Sequence, residues 1–165
     1  MEKQTIAVIY GNRDFFPDAL VLEAREDIEA LFKKYDINLI ALPKEATKNG
    51  SVETWEHSKA CADLFKKHRD EIEGVLVVLP NFGDEKGVAD TMKLSGLDVP
   101  ILVQAYPDDP VKLPLERRRD GFCGKISVCN NLRQYGFKYT LTSEHTSDPN
   151  SESFKEDFER FLGVC

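Results

Sequence analysis

The chain has 165 residues, with 29 acidic against 22 basic side chains, a formal charge of −7 and 41% hydrophobic residues, as expected of one soluble globular domain. No stretch approaches the ~18 uninterrupted apolar residues of a membrane span, and the start, Met1-Glu2-Lys3-Gln4-Thr5, carries no secretory cleavage signal. The acidic balance argues against a nucleic-acid partner, whose phosphates call for a basic surface. Cys61, Cys123, Cys129 and Cys165 are irregularly spaced without a C-x-x-C pair, so free thiols in a reducing cytoplasm are expected.

Thr5 to Tyr10 (TIAVIY) is short, apolar and β-branched, which predicts a buried strand. Ala19 to Tyr35 places Ala24, Ile28, Leu31, Phe32 and Tyr35 on one helical stripe, with Pro17 just before it. Ile37 to Leu42 predicts a second strand, and Asn49-Gly50 a turn. Ser51 is the expected cap of a helix reaching about Glu73, with Trp55, Cys61, Phe65 and Ile72 on one face.

Val75 to Leu79 (VLVVL) is apolar at every position, the pattern of a central parallel strand covered on both faces. A helix over Asp84 to Leu94 and a strand over Val99 to Val103 follow. Gln104 to Phe122 contains three prolines and no period. Lys125 to Tyr135 reads as a helix and Phe137 to Leu141 as a fifth strand. Phe154, Phe158, Phe161, Leu162 and Cys165 form a last stripe, with Ser153 and Glu156 at capping-box spacing.

The alternation predicts a doubly wound, three-layer α/β sandwich around a five-stranded parallel sheet. The expected order is flavodoxin-like (Rossmann-like), 2-1-3-4-5. Gly163-Val164-Cys165 ends without a helix stop signal, so residues 1–165 are expected to be the N-terminal domain of a longer multidomain chain.

In such a sheet the ligand crevice lies at the carboxyl ends of the strands where their order reverses. The loops there are Gly11 to Pro17 (GNRDFFP) and Pro80 to Glu85 (PNFGDE), with Gln104 leaving the next strand at the same edge. Gly11, Asn12 and Pro17 suit a turn and helix start as well as a ligand. Arg13 is balanced between a solvated charge and a ligand contact, since a guanidinium offers directed donors to hydroxyls or anions. Phe15, Asn81 and Phe82 sit where a ligand would be met, although Phe82 equally suits a plug for the sheet end. Asp84 and Glu85 fit the positive end of a helix dipole better than catalysis.

Neither G-x-G-x-x-G nor G-x-x-x-x-G-K-[ST] occurs, and the first loop lacks a Ser/Thr-Gly run for a flavin phosphate. A phosphorelay receiver would want an aspartate directly after the third strand, where Pro80-Asn81 stands. His57 and His68 lie eleven residues apart on one helix, too far to share a metal, and His145 sits beside Glu144 in a polar loop. Arg117-Arg118-Arg119-Asp120 reads most simply as a salt-bridged segment. By itself, then, the sequence specifies an α/β domain with a binding edge and no complete catalytic set.

Three stretches carry a likeness: Tyr10 to Pro17 (YGNRDFFP), Leu79 to Asp109, and Gly121 to Thr146 (GFCGKISVCNNLRQYGFKYTLTSEHT). They resemble the N-terminal domain of L-fucose isomerase-like proteins of the L-fucose/L-arabinose isomerase superfamily. SFKEDFERFLGVC is similar to the helix leading into that family's second domain. The resemblance implies a cytoplasmic, homo-oligomeric aldose–ketose isomerase acting on a sugar. Its metal, usually Mn²⁺, would be held by carboxylates and a histidine of the downstream domains, with no cofactor in this one. Recognition would come from here, across a subunit interface. By position, Arg13 matches an arginine that touches substrate in fucose isomerases, and Asn81 and Phe82 fall where an aromatic contact follows the third strand. Asn130 and Asn131 lie in the segment where arabinose isomerases carry a substrate-contacting glutamine. The alternatives are a stand-alone small-ligand-binding or receiver-like module and, more remotely, a flavin protein.

Overall fold

The structure, a computed structural model, describes residues 3–111 and 115–165. In chain order its elements are β1 (Thr5–Gly11), α1 (Ala19–Tyr35), β2 (Asn38–Ile40), β3 (Ser51–Val52), α2 (Trp55–Lys67) and β4 (Gly74–Leu79). They continue as α3 (Glu85–Ser95), β5 (Ile101–Ala105), α4 (Gly121–Gln134), β6 (Thr140–Leu141) and α5 (Glu152–Val164). Single 3₁₀ turns occupy Lys48–Gly50 and Leu115–Arg117.

β1, β4 and β5 are buried at every residue, because each is flanked by parallel strands and covered on both faces. Their side chains alternate between two cores. Ile6, Val8, Tyr10, Leu76, Val78 and Leu102 face α1 and α5. Ala7, Ile9, Val75, Val77 and Leu79 face α2, α3 and α4 through Phe65, Val88, Met92, Val128 and Leu132. Period two in the strands thus becomes two apolar layers on one sheet.

All pairings are parallel, in the order β2-β1-β4-β5-β6 with β3 also paired to β1. The sheet therefore has six strands among the described residues, not the five expected. The added strand, Ser51–Val52, pairs with Tyr10 and Gly11. Two residues are too short to leave a periodic signal.

Local chemistry accounts for the other departures. Ser51 belongs to β3 and does not cap α2; the Thr54 hydroxyl does, accepting from His57 N at 3.2 Å. That helix ends at Lys67 rather than near Glu73, with His68 at its C-cap and Gly74 already opening β4. The last helix is capped by Ser151, which accepts from Phe154 N at 3.2 Å, and not by a Ser153–Glu156 box. α4 starts at Gly121, four residues before the expected Lys125. Of the irregular segment foreseen over Gln104 to Phe122, residues 112–114 lie outside the described ones. No helix among the described residues is long and apolar enough to cross a membrane.

Arg25 ties the strap between β2 and β3 to α1. It is 5% exposed, stacks over the Tyr10 ring at 4.8 Å and donates to the carbonyls of Leu42 (3.0 Å) and Asn49 (3.4 Å). Glu29, one turn on, supplies the counter-charge at 3.6 Å. On α5, Phe158 packs against Phe32 at 5.6 Å and Phe154 at 6.0 Å, closing that face with aromatic contacts.

α4 approaches the β4–α3 loop so closely that a Cβ at Gly124 would run into the backbone carbonyl of Phe82. Backbone cannot rotate away as a side chain can. Gly124→Ala is therefore expected to destabilise by about 2 kcal/mol or more, lowering Tm by roughly 4–8 °C, which a thermal melt by circular dichroism would read. An unchanged melting temperature would mean that α4 does not dock as closely as described.

Candidate ligand-binding edge

The loops after β1 and β4 leave adjacent strands, as the Tyr10–Val78 pairing requires, and so run side by side at the carboxyl edge of the sheet. Asn12 and Asn81 are both 0% exposed. The Asn81 amide donates to Asn12 Oδ1, and the Asn12 amide donates to Glu53 Oε1 and, at 3.3 Å, to Asp18. Asn81 Oδ1 accepts from Gly83 N at 3.1 Å, closing a turn in which Gly83 takes φ +72°. One carboxamide pair thus connects the ends of β1 and β4, the start of α1 and the approach to α2.

Above this floor stands Arg13. Its guanidinium lies 4.8 Å from the centre of the Phe82 ring and pairs with Glu85 at 2.9 Å. Its side chain remains 35% exposed, so a planar cation is presented to solvent with its orientation fixed from two sides. Phe16 stacks on Phe82 at 6.4 Å between ring centres, and Phe15 beside it is 76% exposed. Asp84 caps α3 by accepting from Gly87 N at 2.6 Å. Burial pushes the Asp84 carboxyl above its ordinary pKa, opposed by that N–H and by Arg13. Lys48 holds Asp18 at 2.9 Å, which raises its own pKa.

The structure brings Asn12, Arg13, Phe15, Asn81 and Phe82 together on this edge and leaves the other named residues elsewhere. Gln104 is enclosed within β5, 0% exposed, donating to the carbonyl of Ser147 at 2.6 Å. Asn131 donates back to Ser127 O at 3.0 Å along its own helix. Asn130 is exposed on α4 and lines a separate pocket against β6. Sequence reasoning missed Glu53 and Asp18 as partners of Asn12, since both read as ordinary acids near helix starts.

A cleft of about 790 Å³ opens beyond β5, between Glu23, Asp27, Tyr106, Asp108, Arg119 and Asp148. Arg119 there stacks on Tyr106 at 4.7 Å, pairs with Glu23 at 3.0 Å and donates to Pro80 O at 2.8 Å. Tyr106 donates to Asp27 at 2.9 Å. Together with Arg117–Glu23 and Arg118–Asp120, these ties bear out the reading of the arginine run as salt-bridged. Its cations serve to fasten the chain to itself.

Among the described residues no group of three or more His, Cys, Asp or Glu side chains is placed to hold a metal ion. The edge offers directed donors, aromatic faces and acceptors, which is the equipment of a binding surface for a polyhydroxylated or anionic molecule.

Residues 7–165 match the family described as fucose/sulfoquinovose isomerase, N-terminal domain. No curated protein matches the chain significantly.

Asn81→Asp would replace the amide donor facing Asn12 Oδ1 by an acceptor bearing charge near Glu53 and Asp18. A loss of about 2 kcal/mol relative to the parent chain is expected at pH 7. Burial and the neighbouring acids would raise the new carboxyl's folded-state pKa, so the deficit grows as pH rises and shrinks below about pH 4, where protonation restores a donor. Chemical denaturation of both proteins at the two pH values reads this directly. An equal deficit at both would assign it to something other than the lost donor.

Proposed function

Because the chain belongs to the fucose/sulfoquinovose isomerase N-terminal domain family, we propose that it forms the substrate-recognition and oligomerisation domain of a metal-dependent aldose–ketose isomerase. The observation that carries this reading is Arg13, held between the Phe82 ring and Glu85 with part of its guanidinium open to solvent. Such a group donates to the hydroxyls of an open-chain sugar. Phe82 and the exposed Phe15 offer faces for the sugar's C–H surface. Asn12 and Asn81 act by fixing the loops from below, being without exposed surface of their own. Gln104, enclosed within β5, and Asn131, bonded along its own helix, are left out of this recognition set, as is Asn130, which lines the separate pocket against β6.

In this reading the metal would be held by downstream domains, where it would supply Lewis-acid stabilisation of charge at C1 and C2. The role of this chain is to bind and orient. Phe15 and Trp55, 76% and 52% exposed, support a rim that packs against another copy of the protein. Four unpaired thiols suit a cytoplasmic location.

The test is an aldose–ketose interconversion assay with added Mn²⁺, comparing this chain with the full-length product of its reading frame across hexoses and pentoses. Turnover is expected only in the longer protein, where Arg13→Ala should lower kcat/KM by about ten- to a hundredfold, the worth of a charged hydrogen bond. Unchanged kinetics in that variant would remove Arg13 from the sugar site. A frame without isomerase activity, in which this chain binds a small molecule without turnover, would favour a stand-alone binding module.

A further inference from the structure

A second pocket, of about 320 Å³, lies between α4 and the segment around β6, and none of its lining residues is acidic. In a chain of net charge −7 that is a local reversal of sign. Its interior cation is Lys125, only 4% exposed. The ammonium donates to the Thr142 hydroxyl and, at 3.4 Å, to the carbonyl of Glu144. Thr142 in turn donates to that same carbonyl at 2.7 Å, so both acceptors are neutral and already shared. An ammonium has three donors, and these two acceptors leave one of them unassigned.

Buried charges are ordinarily paired. Arg25, the other deeply buried cation, has Glu29 at 3.6 Å. Lys125 has no carboxylate within ion-pair distance among the described residues. The acid that acts on it, Asp157 of α5, is itself engaged by the Ser143 backbone N–H and hydroxyl and by Arg160. Burial lowers the Lys125 pKa to about 8, the response of an ammonium that lacks a counter-ion. Next to it Cys129 is shifted the other way, to about 11, also by burial, so it supplies no thiolate to balance the charge.

The walls are apolar. Phe122 packs against the His145 ring at 5.0 Å and is 44% exposed, while Ile126 and Leu141 are 56% and 51% exposed. Arg133 and Asn130 stand at the rim. The combination is a cation at the bottom of an apolar cup, on the far side of α4's Gly124 from Phe82.

We propose that this pocket binds a small organic monoanion, a carboxylate on a compact apolar body. The carboxylate sits on the Lys125 ammonium, and the body lies against Phe122, Ile126 and Leu141. The cup is too small for a large ligand and lacks the dense donor array that a phosphate cradle requires. The assignment does not depend on the sugar reading of the Arg13 edge.

Benzoate and its neutral counterpart benzyl alcohol are the probes, titrated into the ¹⁵N-labelled chain and followed by amide chemical shifts. Saturable benzoate binding is expected, with shifts centred on α4 and residues 139–145. Benzyl alcohol, lacking the charge, should bind about tenfold more weakly or worse, as should benzoate to Lys125→Met. Ile126→Glu, at an exposed position that leaves the core intact, should weaken benzoate to a similar degree and covers the case in which Lys125→Met does not fold. Arg13→Ala should bind benzoate as the parent does, which separates this site from the sugar edge. Equal affinity for the acid and the alcohol would overturn the proposal, and so would undiminished benzoate binding in Ile126→Glu. Absence of saturable binding, or shifts confined to the 11–17 and 80–85 loops, would overturn it as well.

Discussion

Two asparagine carboxamides meet at the carboxyl edge of the sheet beyond β1 and β4, Asn81 donating to Asn12, both fully buried. The pairing of β1 with β4 sets the two loops side by side, and beyond the ladder, which their backbones leave at Gly11 and Leu79, the buried link between them is this carboxamide pair. A carboxamide has both donor and acceptor, which lets one pair satisfy the turn at Gly83 on one side and the carboxylates of Glu53 and Asp18 on the other. Each of these groups would be costly to bury alone. Joined, they form a rigid base on which Arg13, Phe16 and Phe82 stack, and the exposed chemistry of the edge inherits its geometry from that base.

The chain handles its two buried cations in opposite ways. Arg25 has two carbonyls, a ring and a carboxylate about its guanidinium, and although its Nε stays without a partner the group fastens the strap after β2. Lys125 has only neutral oxygens, and burial moves its pKa toward neutrality. The first arrangement is that of a structural fastening. The second leaves a charge facing an apolar cup, a feature that packing alone does not call for.

What was legible in the residues follows from length and periodicity. β1 and β4 are apolar at every step, which no half-exposed strand sustains, and the α5 stripe of Phe154, Phe158 and Phe161 fixes its inward face. β3 was invisible because Ser51 and Val52 show no period, and the cap of α2 was misplaced because Thr54 and Ser51 are equally competent hydroxyls. Position along the strands placed the two loops at one edge, but only side-chain geometry joins Asn12 to Asn81. Gln104 is polar in an apolar strand, a pattern shared by ligand contacts and internal fasteners; its partner, Ser147, lies 43 residues on. Lys125 carried a usable signal: it stands three, four and seven residues before Val128, Cys129 and Leu132, on the inward stripe of its helix.

The first loop separates its anchor from its tip. Asn12 is immobilised at the sheet end by Asn81, Glu53 and Asp18 and by the Val52 carbonyl, which accepts from its backbone N–H at 3.2 Å, whereas Asp14 and Phe15, two and three residues further, project into solvent. Variation at the tip therefore has little access to folding stability, whereas variation at the anchor acts on it directly. A lineage carrying this loop can exchange the aromatic face it presents for another shape without renegotiating the sheet beneath it. Exchange of the presented surface and preservation of the fold draw on different, adjacent residues of one seven-residue turn.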